Sequence, residues 1–140
     1  MKFINRSFPN IFPDGCPPED SKHIRLKVYR LSEKDSITKD DFKSFKEKGI
    51  DKRDPKNPFI EYGLSVNTNY NELRRCWRGN PGLKRRFKKI CSGITYECTG
   101  LVKATPSNYQ KSHHTWWVYK EVDPSNFFKI GGGESSNDRE

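Results

Sequence analysis

The scarcity of aliphatic side chains limits how this chain can fold more than any other feature of its sequence. Leu, Ile, Val and Phe account for 29 of the 140 residues, which is close to the level below which chains fail to bury enough apolar surface to fold. Aromatic residues make up 13% of the sequence, and each of them buries a large area. We therefore expect one small domain with a thin, aromatic-rich core and generous loops.

Positive charge is concentrated in residues 74–89, called the basic segment below. It contains no Asp or Glu, and removing its eight basic residues from the chain's 27 leaves 19 against 18 acidic ones. Charge this concentrated makes a local field, which predicts an anionic partner. The candidate anion-binding residues are Arg74, Arg75, Arg78, Lys84, Arg85, Arg86, Lys88 and Lys89.

Three interpretations of the basic segment remain open. Lys and Arg would neutralise the phosphates of RNA or DNA, or the carboxylates of an acidic protein surface. With a nucleic acid, Trp77 or Phe87 has the ring needed to stack on an unpaired base. Alternatively, both aromatics belong to the core and the charges form an ordinary solvated helix face. A third interpretation is a subunit whose basic surface docks onto a larger protein assembly.

The first half of the chain predicts two strands and a helix. Alternation over residues 23–31 predicts a strand and places Arg30 on its apolar side. Thr38, followed three residues later by Asp41, is typical of a helix start, and Gly49 is a typical helix end. A second short strand is predicted over residues 62–66.

The second half predicts a helix from Asn69, a break at residues 79–82 and a short basic helical turn over residues 83–90. Strands are then expected at residues 94–102, 113–122 and 127–130. The order β-α-β-α-β-β-β indicates an α+β domain with an antiparallel-rich sheet and two short helices. We place this single domain at residues 23–130, between an irregular Pro-rich arm (1–22, with Phe3, Phe8 and Phe12 as anchors) and a flexible polar tail (131–140).

The four cysteines, Cys16, Cys76, Cys91 and Cys98, are too few and too scattered to predict a disulfide framework. Neither a signal peptide nor an apolar stretch long enough to span a bilayer is recognisable. These features predict free thiols, a cytoplasmic location and no membrane partner.

A metal site and a cofactor are not expected. Cys91, Cys98, His113 and His114 are residue types that bind zinc, but their spacing lacks the close ligand pairs that present two donors to one ion. Adjacent histidines on a strand also point to opposite faces.

The string from His113 to Trp117 predicts one wall of a cleft. On a strand, His113 and Thr115 share one face while Trp116 lies on the other, which we assign to the core. His113 would then be available as a general base or a hydrogen-bond donor. Alternatively, the aromatics simply fill the core and one histidine bonds a backbone carbonyl.

The strand that ends Val28-Tyr29-Arg30, the helix after it, and Gly63-Leu64-Ser65-Val66 followed by another helix resemble the front half of ADP-ribosyltransferase-like domains. The resemblance implies that Arg30 contacts NAD and that Ser65 shapes the pocket. His113, proposed above from its strand face, is a further candidate for a catalytic pocket. A charge on the apolar side of a strand needs a partner or a ligand, so the position of Arg30 fits a residue that contacts NAD. The family's catalytic Glu has no evident counterpart; Glu97 and Glu121 lie nearby without its spacing.

Overall fold

The computed structural model describes residues 6–52 and 54–131. Its strands and helices follow in the order β1 (Lys27–Ser32), β2 (Leu64–Asn67), α1 (Tyr70–Arg78), α2 (Pro81–Arg86), β3 (Lys89–Ile94), β4 (Gly100–Ala104), β5 (His113–Val118) and β6 (Phe128–Ile130). Short 3-10 turns at Lys39–Asp41, Ile60–Tyr62, Glu97–Thr99 and Pro124–Phe127 join them.

The six strands form one antiparallel sheet in the order β4-β5-β2-β1-β3-β6. β2 and β1 lie at its centre, and β5 pairs with β2, Leu64 opposite Trp116 and Ser65 opposite Thr115. The predicted α+β class with an antiparallel-rich sheet and two short helices is therefore confirmed, and the element order is roughly as expected.

Aromatic rings hold the core together on one face of the sheet. Trp116 is fully buried and stacks on Phe128 at 5.8 Å between ring centroids, and Phe42 meets Phe128 edge-on at 5.0 Å. Val28 and Val66 complete this cluster with no exposed surface. Three aromatic rings thus supply much of the apolar area that the few aliphatic side chains cannot.

The helix predicted after Thr38 is wrong beyond its first turn. The Thr38 N–H does donate to Asp41 Oδ2 at 2.8 Å, as a helix start requires, but only the 3-10 turn Lys39–Asp41 forms. The Asp41 carbonyl, which the next helical turn would use, accepts a hydrogen bond from Arg30 Nη2 at 2.8 Å instead. Gly49, predicted to end this helix, has a left-handed conformation at φ +78° but follows an irregular turn rather than a helix.

Three features of the second half also differ from the prediction. The break at residues 79–82 is shorter, because Asn80 caps α2 and Pro81 occupies its first turn, where a missing N–H costs nothing. The helical turn does not reach Ile90, which is buried on β3. The strand predicted at 94–102 is two strands joined by a 3-10 turn.

The described part of the N-terminal arm, residues 6–22, contains neither an α-helix nor a named strand and packs onto the body through aromatic rings. Phe8 stacks on Tyr119 at 4.6 Å, and Phe12 meets Tyr62 edge-on at 6.0 Å. Phe3 and the predicted tail beyond Gly131 lie outside the described residues.

Candidate functional site

The Arg30 guanidinium bridges two neighbouring strands where their pairing stops. β1 pairs with β3 along six residues but with β2 only at Tyr29 and Asn67. Beyond that pair, Arg30 Nη1 donates to the Ser65 carbonyl at 2.8 Å, and Nη2 donates to the Asp41 carbonyl. Arg30 is only 9% exposed, so its charge-assisted hydrogen bonds hold β1, β2 and the 3-10 turn together.

A cavity of ≈ 380 Å³ lies beside this bridge, and Arg30, Ser65 and His113 all line it. The structure therefore brings together the three residues that the sequence singled out as candidates for a pocket. Among the described residues, Glu97 and Glu121 do not line it, and Asp54 is the one acidic residue that does.

Cations dominate the cavity wall. Among the described residues that line it, five are basic: Arg30, Lys43, Lys48, Lys52 and Arg86. The lysines come from residues 43–52, which follow the 3-10 turn Lys39–Asp41, whereas Arg86 comes from the end of α2. The fold thus gathers positive charge from three separate parts of the chain around one concave site.

His113 is held in one tautomer by its neighbours. Its Nδ1 lies 3.0 Å from the Thr105 carbonyl and 2.8 Å from the Thr105 hydroxyl, which also lies 2.8 Å from the Thr115 hydroxyl. A carbonyl only accepts, so Nδ1 carries the proton and Nε2 presents a lone pair. Nε2 has no hydrogen-bond partner among residues 6–52 and 54–131, which suits an acceptor facing a ligand.

Burial lowers the pKa of His113, and the charges of His114, Lys52 and Arg30 lower it further, against the raising effect of the Thr105 hydrogen bond. Because the folded pKa lies below the ordinary 6.5, the unfolded chain takes up the proton first as pH falls. The free energy of unfolding should therefore decrease as pH drops below 6.5, until the folded pKa is reached. Urea unfolding at several pH values measures this loss.

Two variants isolate the contribution of this histidine. His113→Asn keeps a donor towards Thr105 and should show a smaller loss of stability on acidification than the wild type. His23→Asn removes an exposed histidine that bonds Tyr119 and serves as the matched control. An unchanged pH dependence in His113→Asn would contradict the assignment.

All eight basic side chains of the basic segment are exposed. Arg74, Arg75 and Arg78 lie on α1, and Lys84, Arg85 and Arg86 form the last turn of α2. Lys88 precedes β3, and Lys89 begins it. Within the described chain, only Arg86 among the eight forms an ion pair, with Glu33 at 3.2 Å.

The two aromatics of the basic segment act as anchors rather than as free stacking surfaces. The Trp77 indole Nε1 donates to the Phe87 carbonyl at 3.2 Å, which ties α1 to the end of α2. Both rings are half-buried, and the Arg86 guanidinium lies 5.1 Å from the centre of the Phe87 ring. Both rings thus contribute contacts within the protein.

The loop before β5 closes the other side of the cavity and is fastened to α1. The Glu72 carboxylate accepts hydrogen bonds from the Lys111 and Ser112 N–H groups, at 2.9 and 2.8 Å, and from the Ser112 hydroxyl. These donors lower the pKa of Glu72, the Ser112 hydroxyl most. Gln110, which lines the cavity, bonds the Asn67 side chain at 2.9 Å.

Sequence reasoning missed Lys43, Lys48 and Lys52 as members of the site. Each is a common surface residue in a polar stretch, and nothing in its spacing distinguishes it. Only the irregular course of residues 43–52 in the folded chain brings these lysines to the cavity. By contrast, Arg30 carried a sequence signal, because a charge on the apolar side of a strand is unusual.

The four cysteines are free, as predicted, and two of them are poor nucleophiles. Burial raises the pKa of Cys91 to about 11 and that of Cys16 to about 12, so both thiols stay protonated at neutral pH. No group of three or more His, Cys, Asp or Glu side chains within residues 6–52 and 54–131 is arranged to hold a metal ion. Across the same residues, every helix is too short or too polar to cross a membrane.

No family model matches this chain, and neither a curated protein nor a solved structure does. Function is therefore inferred from the geometry of the cavity and of the basic segment.

Proposed function

We propose that this protein is a small binding module that holds an anionic partner, the phosphate backbone of RNA or DNA, through the basic segment. The observation that supports it most directly is the set of eight exposed cations on consecutive elements, seven of them without an ion pair in the described chain. Each cation that neutralises a phosphate releases counterions and so adds affinity.

Ordinary structural roles account for only some of these charges. Arg75 and Arg78 lie in the last turn of α1, and the last turn of α2 is basic too. There cations interact favourably with the helix dipole. Lys88 and Lys89 lie outside both helices, where this stabilisation is absent, so a binding role explains the whole set better.

Nucleic acid fits this surface better than a docking site on a protein assembly. Protein interfaces have an apolar centre surrounded by a polar rim. The large apolar side chains that are exposed in the described chain, Ile11, Ile50 and Tyr109, all lie outside the basic segment. A surface of cations without an apolar centre is typical of backbone contact with a polyanion.

Charge reversal at two exposed arginines tests the proposal. Arg74→Glu with Arg85→Glu should weaken binding of a 5′-hydroxyl single-stranded oligonucleotide about tenfold, because phosphate contacts are lost. The slope of log affinity against log salt concentration should become shallower by about 1 to 2 units. Fluorescence anisotropy across a salt series measures both.

Lys120→Glu with Lys129→Glu gives the same change of net charge outside the basic segment, at two exposed positions. This control should bind like the wild type to within about twofold. Wild-type affinity that does not depend on salt, or equal loss in both double variants, would refute the basic segment as the binding surface.

The four free thiols fit a reducing compartment, so a cytoplasmic location is part of the proposal.

A second candidate function is an ADP-ribosyltransferase-like NAD pocket, favoured by the shared cavity of Arg30, Ser65 and His113. NAD should then raise the melting temperature of the wild type and not that of Ser65→Tyr, whose ring would fill part of the cavity. Ser65→Ala is the matched control that leaves the space open. No shift with NAD in the wild type would remove this candidate.

A further inference from the structure

The cavity holds more positive charge than its own acids neutralise. One carboxylate, that of Glu33, serves two of the lining cations: it lies 3.2 Å from Arg86 Nε and 4.0 Å from Lys48 Nζ. Lys52 has no ion pair in the described chain and only faces the Phe45 ring, at 5.5 Å. An anion in the cavity would relieve this imbalance.

Crowding of like charges is visible at Lys48. Its side chain is 25% exposed. Burial lowers its pKa, and the nearby charges of Arg86 and Arg30 lower it further, which outweighs the raising effect of Glu33 and Asp41. A bound dianion between these groups would reverse the effect, because it would favour the charged form of each lysine.

Neutral polar groups in the cavity are also available to a ligand. Arg30 is committed to two backbone carbonyls and contributes its field rather than a contact. The Ser65 hydroxyl and His113 Nε2, however, have no hydrogen-bond partner in the described part of the chain. Together with the two lysines, the Ser65 hydroxyl can donate to a phosphate. The lone pair of His113 Nε2 can instead accept a hydrogen bond from a sugar hydroxyl.

The cavity is continuous with the basic segment. Arg86, Leu83 and Phe87 of that segment line it, so a strand following the exposed cations reaches the opening at Arg86. Its volume of ≈ 380 Å³ lies in the range of small-molecule sites. A phosphate alone would leave room in it for a terminal sugar.

We propose that this cavity binds a phosphomonoester, and that the phosphomonoester is the phosphorylated end of a nucleic-acid strand lying on the basic segment. A terminal phosphate carries close to two negative charges at neutral pH, whereas each internal phosphodiester carries one. A cavity with excess cations therefore selects the end of a strand from its interior. The choice of a strand end rests on the proposed function, while the phosphomonoester site stands on the cavity alone.

Oligonucleotides of one sequence that differ only at the ends test this proposal. Anisotropy should show that a 5′-phosphate or a 3′-phosphate raises affinity about tenfold over the oligonucleotide with hydroxyl ends. Lys48→Gln with Lys52→Gln should abolish that gain and leave the affinity of the hydroxyl form unchanged to within about twofold. Lys120→Gln with Lys129→Gln, outside the cavity, should keep the gain.

Small ligands separate the two possible sources of a phosphomonoester. Titration calorimetry with AMP and inorganic phosphate should show binding to the wild type that is lost in the double lysine variant. NAD has no phosphomonoester, so it should bind the wild type more weakly than AMP does. Equal affinities for NAD and AMP would overturn the proposal. AMP binding without any preference for phosphorylated ends would overturn the strand end as the source.

The outcomes also distinguish this proposal from the previous one. Salt-independent binding of the hydroxyl form argues against the basic segment, whereas equal binding of all three oligonucleotides argues against the cavity. A gain that survives in the double lysine variant would equally overturn the cavity site. Lys52→Gln alone changes an exposed side chain and should keep the fold, so a reduced gain in that variant cannot be attributed to unfolding.

Discussion

Arg30→Ala is expected to lower the free energy of unfolding by about 3–5 kcal/mol. The substitution removes the donors of the Ser65 and Asp41 carbonyls, each bonded at 2.8 Å, and a buried acceptor without a partner costs about 1–3 kcal/mol. It also empties space beside Phe42, whose ring centre lies 5.4 Å from the guanidinium. Urea unfolding at neutral pH measures the loss.

Two further variants identify its cause. Arg30→Lys keeps the charge but cannot donate to both carbonyls through a planar fork, so its loss should be intermediate. Arg25→Ala removes an exposed arginine that lies 5.0 Å from the Tyr96 ring centre and should cost less than about 1 kcal/mol. Equal stability of Arg30→Ala and Arg25→Ala would show that the strand bridge contributes nothing.

Alternation along strands was the most informative pattern in the sequence. It placed Arg30 on the apolar side of β1, where the structure buries it, and assigned Trp116 to the core and His113 to the opposite face. Side chains of a strand alternate with a period of two, so one apolar residue fixes the face of all the others. This pattern puts Ser65 and His113 on one face of the sheet and Arg30 on the other. Arg30 reaches their cavity where the pairing of β1 with β2 stops.

The helix predicted at Thr38 shows where local patterns fail. Its start signal is present and even forms its hydrogen bond. The helix does not continue: the Asp41 carbonyl accepts from Arg30, and the Lys46 N–H donates to the Glu61 carbonyl at 2.9 Å. A buried guanidinium requires acceptors more strongly than a short exposed helix requires one more turn. A pattern within a short stretch of sequence cannot show a hydrogen-bond partner that only the tertiary structure brings close.

The cationic lining of the cavity was hidden for the same reason. Lys43, Lys48 and Lys52 lie on the irregular chain that replaces the helix, and their meeting with Arg86 depends on that loss. The basic segment was visible in the sequence because its charges are consecutive. The cationic cavity could not be predicted in this way, because the fold brings together charges that are some forty residues apart in the sequence.

Gly100→Ala is expected to destabilise the protein by about 4 kcal/mol. Gly100 begins β4 with φ +155° and ψ −153°, a region that residues with a Cβ rarely enter. A Cβ there would overlap the Trp117 carbonyl of the neighbouring strand, and a backbone atom in a paired strand cannot move aside as a flexible side chain would. Thermal and urea unfolding measure the loss.

Gly49→Ala separates the two contributions to that loss. Gly49 also has a positive φ, +78°, but a Cβ there would meet nothing within 4 Å, so only backbone strain of about 1 kcal/mol is expected. The difference between the two variants then measures how closely β4 and β5 approach. Similar losses at both positions would mean that β4 moves away from Trp117 at little cost. In that case β4 would also fix the position of Thr105, the residue that follows it and orients His113, less rigidly.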